Sequence, residues 1–133
     1  MENKSNKSTP QRPEGERILD AALVEMDLNQ FILKIKEEST WAESDRNSMT
    51  IFKSDSLRIV LMGLHQNAEL KPHRANGIIT VQALEGRINF ITEQKTVLLE
   101  KGQMIVLHEN IEHSVMALTE SFFLLTITLN NQK

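Results

Sequence analysis

Four histidines are the residues of this sequence best suited to chemistry: His65, His73, His108 and His113. An imidazole binds transition metals, forms hydrogen bonds in either direction and exchanges protons near neutral pH. We predict that His65, at the start of a polar loop, is solvated. His73 and His113 are predicted to enter one β-structure on different strands, where their rings can meet. The alternative for each is a hydrogen-bonded core histidine with no ligand.

Short strands separated by turn residues must position these histidines. No segment after residue 48 has helical periodicity, so a parallel βαβ sheet is not expected. Strands this short, at close spacing, predict an all-β sandwich or barrel. The predicted strands are 49–53, 57–64, 78–84, 87–92, 96–100, 103–108, 113–118 and 121–129, with a polar loop over 65–70.

One helix is predicted before the strands. Asp27 is a favourable N-cap, and Gln30 follows it at the capping-box spacing. Apolar residues then recur at helical spacing and form one stripe, at Leu28, Phe31, Ile32 and Ile35. The polar run 36–40 is predicted to end the helix. The sequence thus divides into a disordered tail (1–16), a helical and connecting segment (17–48) and a β-barrel (49–130).

Composition excludes several classes of protein. Hydrophobic residues make up 40% and charged residues 25% of the 133, which is typical of a globular chain. The net charge is −3 with scattered basic residues, so we expect no nucleic-acid binding. The apolar runs are too short to span a bilayer, and cysteine is absent, which excludes disulfides and thiolate catalysis. We expect a cytoplasmic protein.

Two segments, 71–86 and 102–117, resemble the two motifs of the cupins, which are small antiparallel jelly-roll barrels. The first cupin motif runs His-x-His, three or four residues, Glu, six residues and Gly. The second begins with Gly and contains a later histidine. The matching positions are His73 and Gly86 in the first motif and Gly102 and His113 in the second. The resemblance implies an antiparallel jelly-roll barrel with a short N-terminal helix.

Two ligand positions of the resemblance hold residues that cannot bind metal. A catalytic cupin holds Fe, Mn, Ni or Zn through three histidines and a carboxylate. Here Ala75 stands at the second histidine position and Ile79 at the glutamate position. His108 is the best substitute ligand for a site formed with His73 and His113. We therefore expect no metal cofactor, with one of these four metals as the alternative.

Without a metal, the resemblance implies a mostly apolar pocket with a few polar groups, the usual composition of a small-molecule site. The predicted pocket residues are His73, Ala75, Ile79, Val81, His113, Val115 and Ala117. The first hypothesis is a metal-poor binding module for an unidentified small molecule. The second is a metal-dependent dioxygenase or isomerase. A third is an interaction or sensor protein with a vestigial pocket.

Residues outside the pocket carry further expectations. Strands 59–64 and 122–125 are apolar on both faces, so a second sheet, the helix or a partner chain must cover the outer face. A homodimer is one such solution and is our prediction. Arg74 and Arg87 are expected at the surface, with anion binding as the alternative. Trp41 and Arg46 are expected to pack outside the pocket, with a lid as the alternative.

Overall fold

The computed structural model describes residues 4–5 and 17–129. The tail predicted over 1–16 lies outside these residues, except for Lys4–Ser5, which forms strand β1 and pairs with β2 (Ile18–Asp20). Two helices follow, α1 (Leu28–Glu37) and α2 (Ser39–Glu43). The other strands are β3 (Arg46–Lys53), β4 (Leu57–Leu64), β5 (Glu69–His73), β6 (Ile79–Glu85), β7 (Arg87–Thr92), β8 (Thr96–Glu100), β9 (Met104–Leu107), β10 (His113–Ala117) and β11 (Ser121–Thr128).

Helix α1 begins where its N-cap predicts. The Asp27 carboxylate accepts the backbone N–H of Gln30 at 3.2 Å, which satisfies one of the donors left free in the first turn. Ile32 and Ile35 are buried on the inward stripe. At the other end, the side chain of Asn47 donates to the Ile35 carbonyl at 3.1 Å, so a residue from β3 closes the helix.

Helix α2 differs from the sequence prediction, in which the polar run 36–40 only ends α1. Its five residues are too few for a stable helix in isolation. The Trp41 side chain, which is buried, anchors the segment against the sheet. Tertiary packing, rather than local sequence preference, therefore explains this helix.

Two antiparallel sheets carry most of the remaining chain. One has the strand order β3-β4-β11-β6-β9 and the other β5-β10-β7-β8. The predicted limits of β4, β7 and β8 are those observed, whereas β3 begins at Arg46 instead of Met49. Part of the predicted polar loop is wrong, since Glu69 and Leu70 belong to β5. This strand lies at a sheet edge with mostly exposed side chains, and it therefore lacks the apolar alternation by which a strand is predicted.

The larger sheet is buried on both faces. Along β11, Phe123 points between the two sheets, whereas its neighbour Phe122 points outward. The inner core lies between the sheets and contains Leu64, Ala68, Ile79, Val81, Ala83, Ile88, Phe90, Leu99, Val115, Ala117 and Phe123. The outer cluster contains Ile32, Ile35, Trp41, Met49, Ile51, Leu61 and Phe122. The cover required for the outer face thus comes from the helices.

Gly63 on β4 makes room for this cover. A Cβ atom built at Gly63 would lie 2.5 Å from the Phe122 ring and 3.1 Å from the Trp41 ring. The absence of a side chain lets both rings approach the backbone of β4. Gly86, the last residue of the first motif, has a φ of +80° in the turn between β6 and β7, a conformation that glycine adopts without strain.

The predicted all-β class is observed as two packed antiparallel sheets with two helices. Among residues 4–5 and 17–129, the strand pairings join strands within each sheet and do not close the two sheets into one barrel. At one open side, the Arg46 guanidinium donates to the Glu69 carbonyl at 2.8 Å and so connects β3 with β5. No helix in the described part of the chain is both long and apolar enough to cross a membrane.

Candidate functional site

His73 and His113 lie side by side on neighbouring strands. Their Cα atoms are partners in the β5–β10 pairing, and the ring centroids are 4.4 Å apart with an interplanar angle of 59°. The structure thus brings together two imidazoles that are distant in sequence. We call these two residues the histidine pair.

A β-bulge precedes His73 and sets its position. The pairing passes from His113↔His73 to Val115↔Leu70, so β5 contains one residue more than β10 over this interval. Pro72 lies in the bulge, where its missing N–H removes no regular ladder bond. Because a bulge bends its strand, it changes the direction in which the His73 side chain leaves the sheet.

Backbone carbonyls fix the tautomer of both rings. Nδ1 of His73 lies 2.8 Å from the Lys71 carbonyl oxygen, and Nδ1 of His113 lies 2.9 Å from that of Ile111. A carbonyl oxygen can only accept, so each Nδ1 carries the proton and donates it. In the neutral rings, each Nε2 therefore keeps a lone pair that can accept a hydrogen bond or bind a metal.

The two rings differ in their surroundings. His113 is 5% exposed and stacks on Phe90, with ring centroids 5.5 Å apart. His73 is exposed. Burial lowers the pKa of His113, because it penalises the charged form, and a positive charge on His73 would lower it further. The hydrogen bond to Ile111 acts in the opposite direction but does not prevail. His113 is accordingly neutral at pH 7.

The other predicted pocket residues belong to the inner core or pack against it. Ile79 is 2% exposed and pairs with Leu107 of β9. Val81, Val115 and Ala117 are buried in the same core, and Ala75 packs against it while partly exposed. These side chains are thus packed in the inner core, and His113 in addition lines an accessible hollow.

The residues present do not fit a metal held by three histidines and a carboxylate. Ala75 and Ile79 offer no donor atom. His108 follows β9 and is exposed. Over residues 4–5 and 17–129, no group of three or more His, Asp and Glu side chains could hold a metal ion, so His108 does not complete the histidine pair.

His65, predicted to be solvated, has a side chain that is 35% exposed. Its ring also stacks on Trp41 with centroids 3.7 Å apart, and its Nε2 lies 2.7 Å from the Trp41 carbonyl oxygen. Glu120 approaches the other ring nitrogen at 3.9 Å. The sequence did not predict the contact with Trp41, because Trp41 is distant in sequence and reaches His65 only through the packing of α2.

The other polar and aromatic candidates lie outside the inner core. Trp41 belongs to the outer cluster rather than to a lid. Arg46 forms an ion pair with Asp45 at 2.8 Å, which lowers the pKa of that carboxyl group. Arg74 donates to the Asn110 carbonyl at 2.8 Å, and Arg87 lies 3.7 Å from the Glu100 carboxylate.

One accessible space is lined by His113, and another by its neighbours Phe90 and Thr92. A hollow of about 410 Å³ is lined by Pro72, Ile91, Thr92, Glu93, Glu112, His113 and Ser114. A second space, of about 200 Å³, lies between the edge strands β8 and β9 and is lined in part by Phe90 and Thr92. The sequence analysis missed both Phe90 and Thr92. Their alternation with Ile88 on β7 marks one common face, but only the pairing of β7 with β10 places that face next to His113.

Comparison with known proteins identifies the fold. No protein-family model matches the chain, and no curated protein matches it. A conserved protein of unknown function from Streptococcus pyogenes superposes with a TM-score of 0.66 at 24% identity, over 85% of this chain and 92% of its own. A cupin superfamily protein from Desulfitobacterium hafniense gives a TM-score of 0.62 at 14% identity, over 64% of this chain and 78% of its own.

A larger enzyme contains the same fold. Salicylate 1,2-dioxygenase from Pseudoaminobacter salicylatoxidans gives a TM-score of 0.68 at 15% identity, over 82% of this chain but only 35% of the enzyme. Identities this low establish the architecture and leave the activity open. The fold of this chain is that of the cupin superfamily.

Proposed function

We propose that this protein binds a small molecule at the histidine pair, without a complete metal centre. The observation that carries the proposal is the contact of two imidazoles whose Nδ1 atoms both form hydrogen bonds with backbone carbonyl oxygens. That arrangement fixes the tautomers in advance and leaves the Nε2 lone pairs as acceptors. A preformed hydrogen-bonding group beside an accessible space is the usual basis of a small-molecule site.

The hollow beside His113 favours a ligand that donates hydrogen bonds. His113 lines this hollow, and Glu93 and Glu112 beside it are acceptors when ionised. Pro72 and Ile91 supply apolar surface. A ligand with a hydroxyl or ammonium group and a small apolar body matches this lining.

The cupin fold supports a finer architectural proposal. We propose that the two sheets form a jelly-roll barrel over 49–130, with 17–48 as a helical and connecting segment. The homodimer and the cytoplasmic location also stay predictions. The homodimer now depends on apolar side chains exposed at the sheet edges, Met104 and Val106 on β9 and Leu98 on β8, because the helices cover the outer sheet face.

Two alternatives make different demands on the site. A metal-dependent dioxygenase or isomerase needs further ligands besides His73 and His113, which the described residues do not supply. An interaction or sensor protein with a vestigial pocket is favoured by one observation, the burial of Ile79 and Val115 in the inner core. The accessible hollow at His113 argues for ligand binding instead.

Titration with benzyl alcohol, followed by NMR of the backbone amides and imidazoles, tests the proposal. We expect shifts at His113, Thr92 and Ser114, and a loss of affinity of about 2–10-fold in His113→Ala, the effect of one neutral hydrogen bond. The matched control is His108→Ala, which removes a histidine outside the hollow and should bind like the wild type. Equal binding by both variants, or no shift around the hollow, would refute the proposed site.

A further inference from the structure

The space between β8 and β9 differs chemically from the hollow at His113. These strands are the edges of different sheets and are not paired with each other. The space between them has apolar walls from Phe90 and Val97 on one sheet and from Ile105 and Leu107 on the other. We call this space, of about 200 Å³, the seam cavity.

The seam cavity carries a positive charge. Lys95 is the one charged residue that lines it in the described part of the chain, and Gln94 is a polar neighbour. None of the ion pairs found among residues 17–129 involves Lys95. The hollow, in contrast, is lined by two carboxylates, Glu93 and Glu112.

The turn that carries Lys95 is fixed by hydrogen bonds. The backbone N–H of Thr92 donates to the Lys95 carbonyl at 2.8 Å, and the backbone N–H of Lys95 donates back at 3.3 Å. The Thr92 hydroxyl lies 3.2 Å from the same carbonyl oxygen. The backbone that positions the ammonium group is therefore ordered before any ligand arrives, which reduces the entropy lost on binding.

Size limits the ligand to a small molecule. The volume equals that of about seven water molecules, and apolar cavities of about 150 Å³ are known to hold benzene. A single ring or a branched aliphatic group fits between Phe90 and Leu107. A carboxylate attached to that group would meet Lys95 at the rim.

We propose that the seam cavity binds small carboxylates with an apolar body, such as an aromatic monocarboxylate. The inference goes beyond the function proposed above, because it concerns another cavity and a ligand of opposite charge preference. It rests on the apolar walls contributed by both sheets and on Lys95 at their rim.

Benzoate is the probe, and benzyl alcohol is its uncharged counterpart. In amide NMR titrations, benzoate should shift Val97, Ile105 and Leu107 and should bind the cavity at least 3-fold more tightly than benzyl alcohol. Lys95→Gln should weaken benzoate about 3–10-fold, the effect of a solvent-accessible charge pair with a hydrogen bond. Lys101→Gln is the matched control, because it removes the same charge at the other end of β8. Raising the salt concentration should weaken benzoate binding in the wild type more than in Lys95→Gln.

The outcomes separate this inference from the function proposed at the histidine pair. Equal benzoate affinity in the two lysine variants, or equal affinity of the wild-type cavity for both probes, would overturn the carboxylate site alone. Failure of benzyl alcohol to shift His113 bears on the histidine pair only. An absence of benzoate shifts at Val97 and Ile105 overturns the seam site whatever happens at the hollow.

Discussion

Restoring the two missing ligands should give this chain the metal affinity that its own residues do not support. The double variant Ala75→His with Ile79→Glu places an imidazole and a carboxylate at the cupin ligand positions beside His73 and His113. If the chain follows the cupin arrangement, four donors converge, and Co²⁺ or Ni²⁺ should bind with at least about 100-fold higher affinity than in the wild type.

The buried state of Ile79 sets the cost of the change. Its side chain is 2% exposed, so the replacement loses about 1.5–3 kcal/mol of apolar burial. A carboxyl group left without a partner there adds about 1–3 kcal/mol. The metal-free variant should consequently be destabilised by about 2.5–6 kcal/mol, and Co²⁺ at about 100 times its Kd should restore about 2.7 kcal/mol.

Visible absorbance of bound Co²⁺ and thermal unfolding with and without metal measure both effects. Ala75→His alone adds one donor without burying a charge and should show an intermediate affinity. The matched control is Ala75→His with Thr80→Glu, because Thr80 is the neighbour of Ile79 on the opposite face of β6. A folded double variant that binds Co²⁺ no better than this control would refute the assignment of positions 75 and 79.

Two further predictions concern stability. Since burial lowers the pKa of His113, the unfolded chain takes up a proton on this ring at a higher pH than the folded chain. The contribution of His113 to the free energy of unfolding should therefore be constant above the usual histidine pKa of 6.5 and decrease as the pH falls from there through the folded-state pKa. Urea unfolding at a series of pH values measures this dependence. In His113→Gln, the free energy of unfolding should change less with pH over the same range. In the outer cluster, Ile35→Ala should lower the free energy of unfolding by about 2–5 kcal/mol in the same assay. Leu33→Ala, at an exposed position of the same helix, should lower it by less than about 0.5 kcal/mol. Similar losses in the two variants would contradict the packing of α1 on the sheet.

The sequence predicted those helices and strands that are marked by their own residues, through apolar runs, turn residues or a helix cap. The apolar runs of β4 and β7, bounded by turn residues, gave their observed limits, and the cap at Asp27 gave the start of α1. Elements that depend on distant contacts were missed. Helix α2 exists because Trp41 packs on Phe122, and the edge strand β5 exists because β10 supplies its ladder.

In the site, too, local sequence predicted some features, and those that depend on distant contacts were missed. The motif spacing identified His73 and His113, which the β5–β10 pairing brings into contact. It did not reveal the Phe90 stack or the two accessible spaces, because these depend on how β7 and β8 lie against strands far away in the sequence. The predicted pocket residues Val81 and Ala117 are buried in the inner core, as their inward alternation indicates, but alternation does not show whether a cavity remains beside a side chain.

The central claim is that two imidazoles meet in this fold with their Nδ1 protons held by the backbone. Nitrogen-15 NMR of the histidine rings, with a pH titration of His113 and proton–proton distances, measures it directly. The account predicts the Nδ1–H tautomer at His73 and His113, close contacts between the two rings, and a pKa for His113 below 6.5. Rings in the Nε2–H tautomer, with no contact between them and a His113 pKa at its usual value, would contradict it.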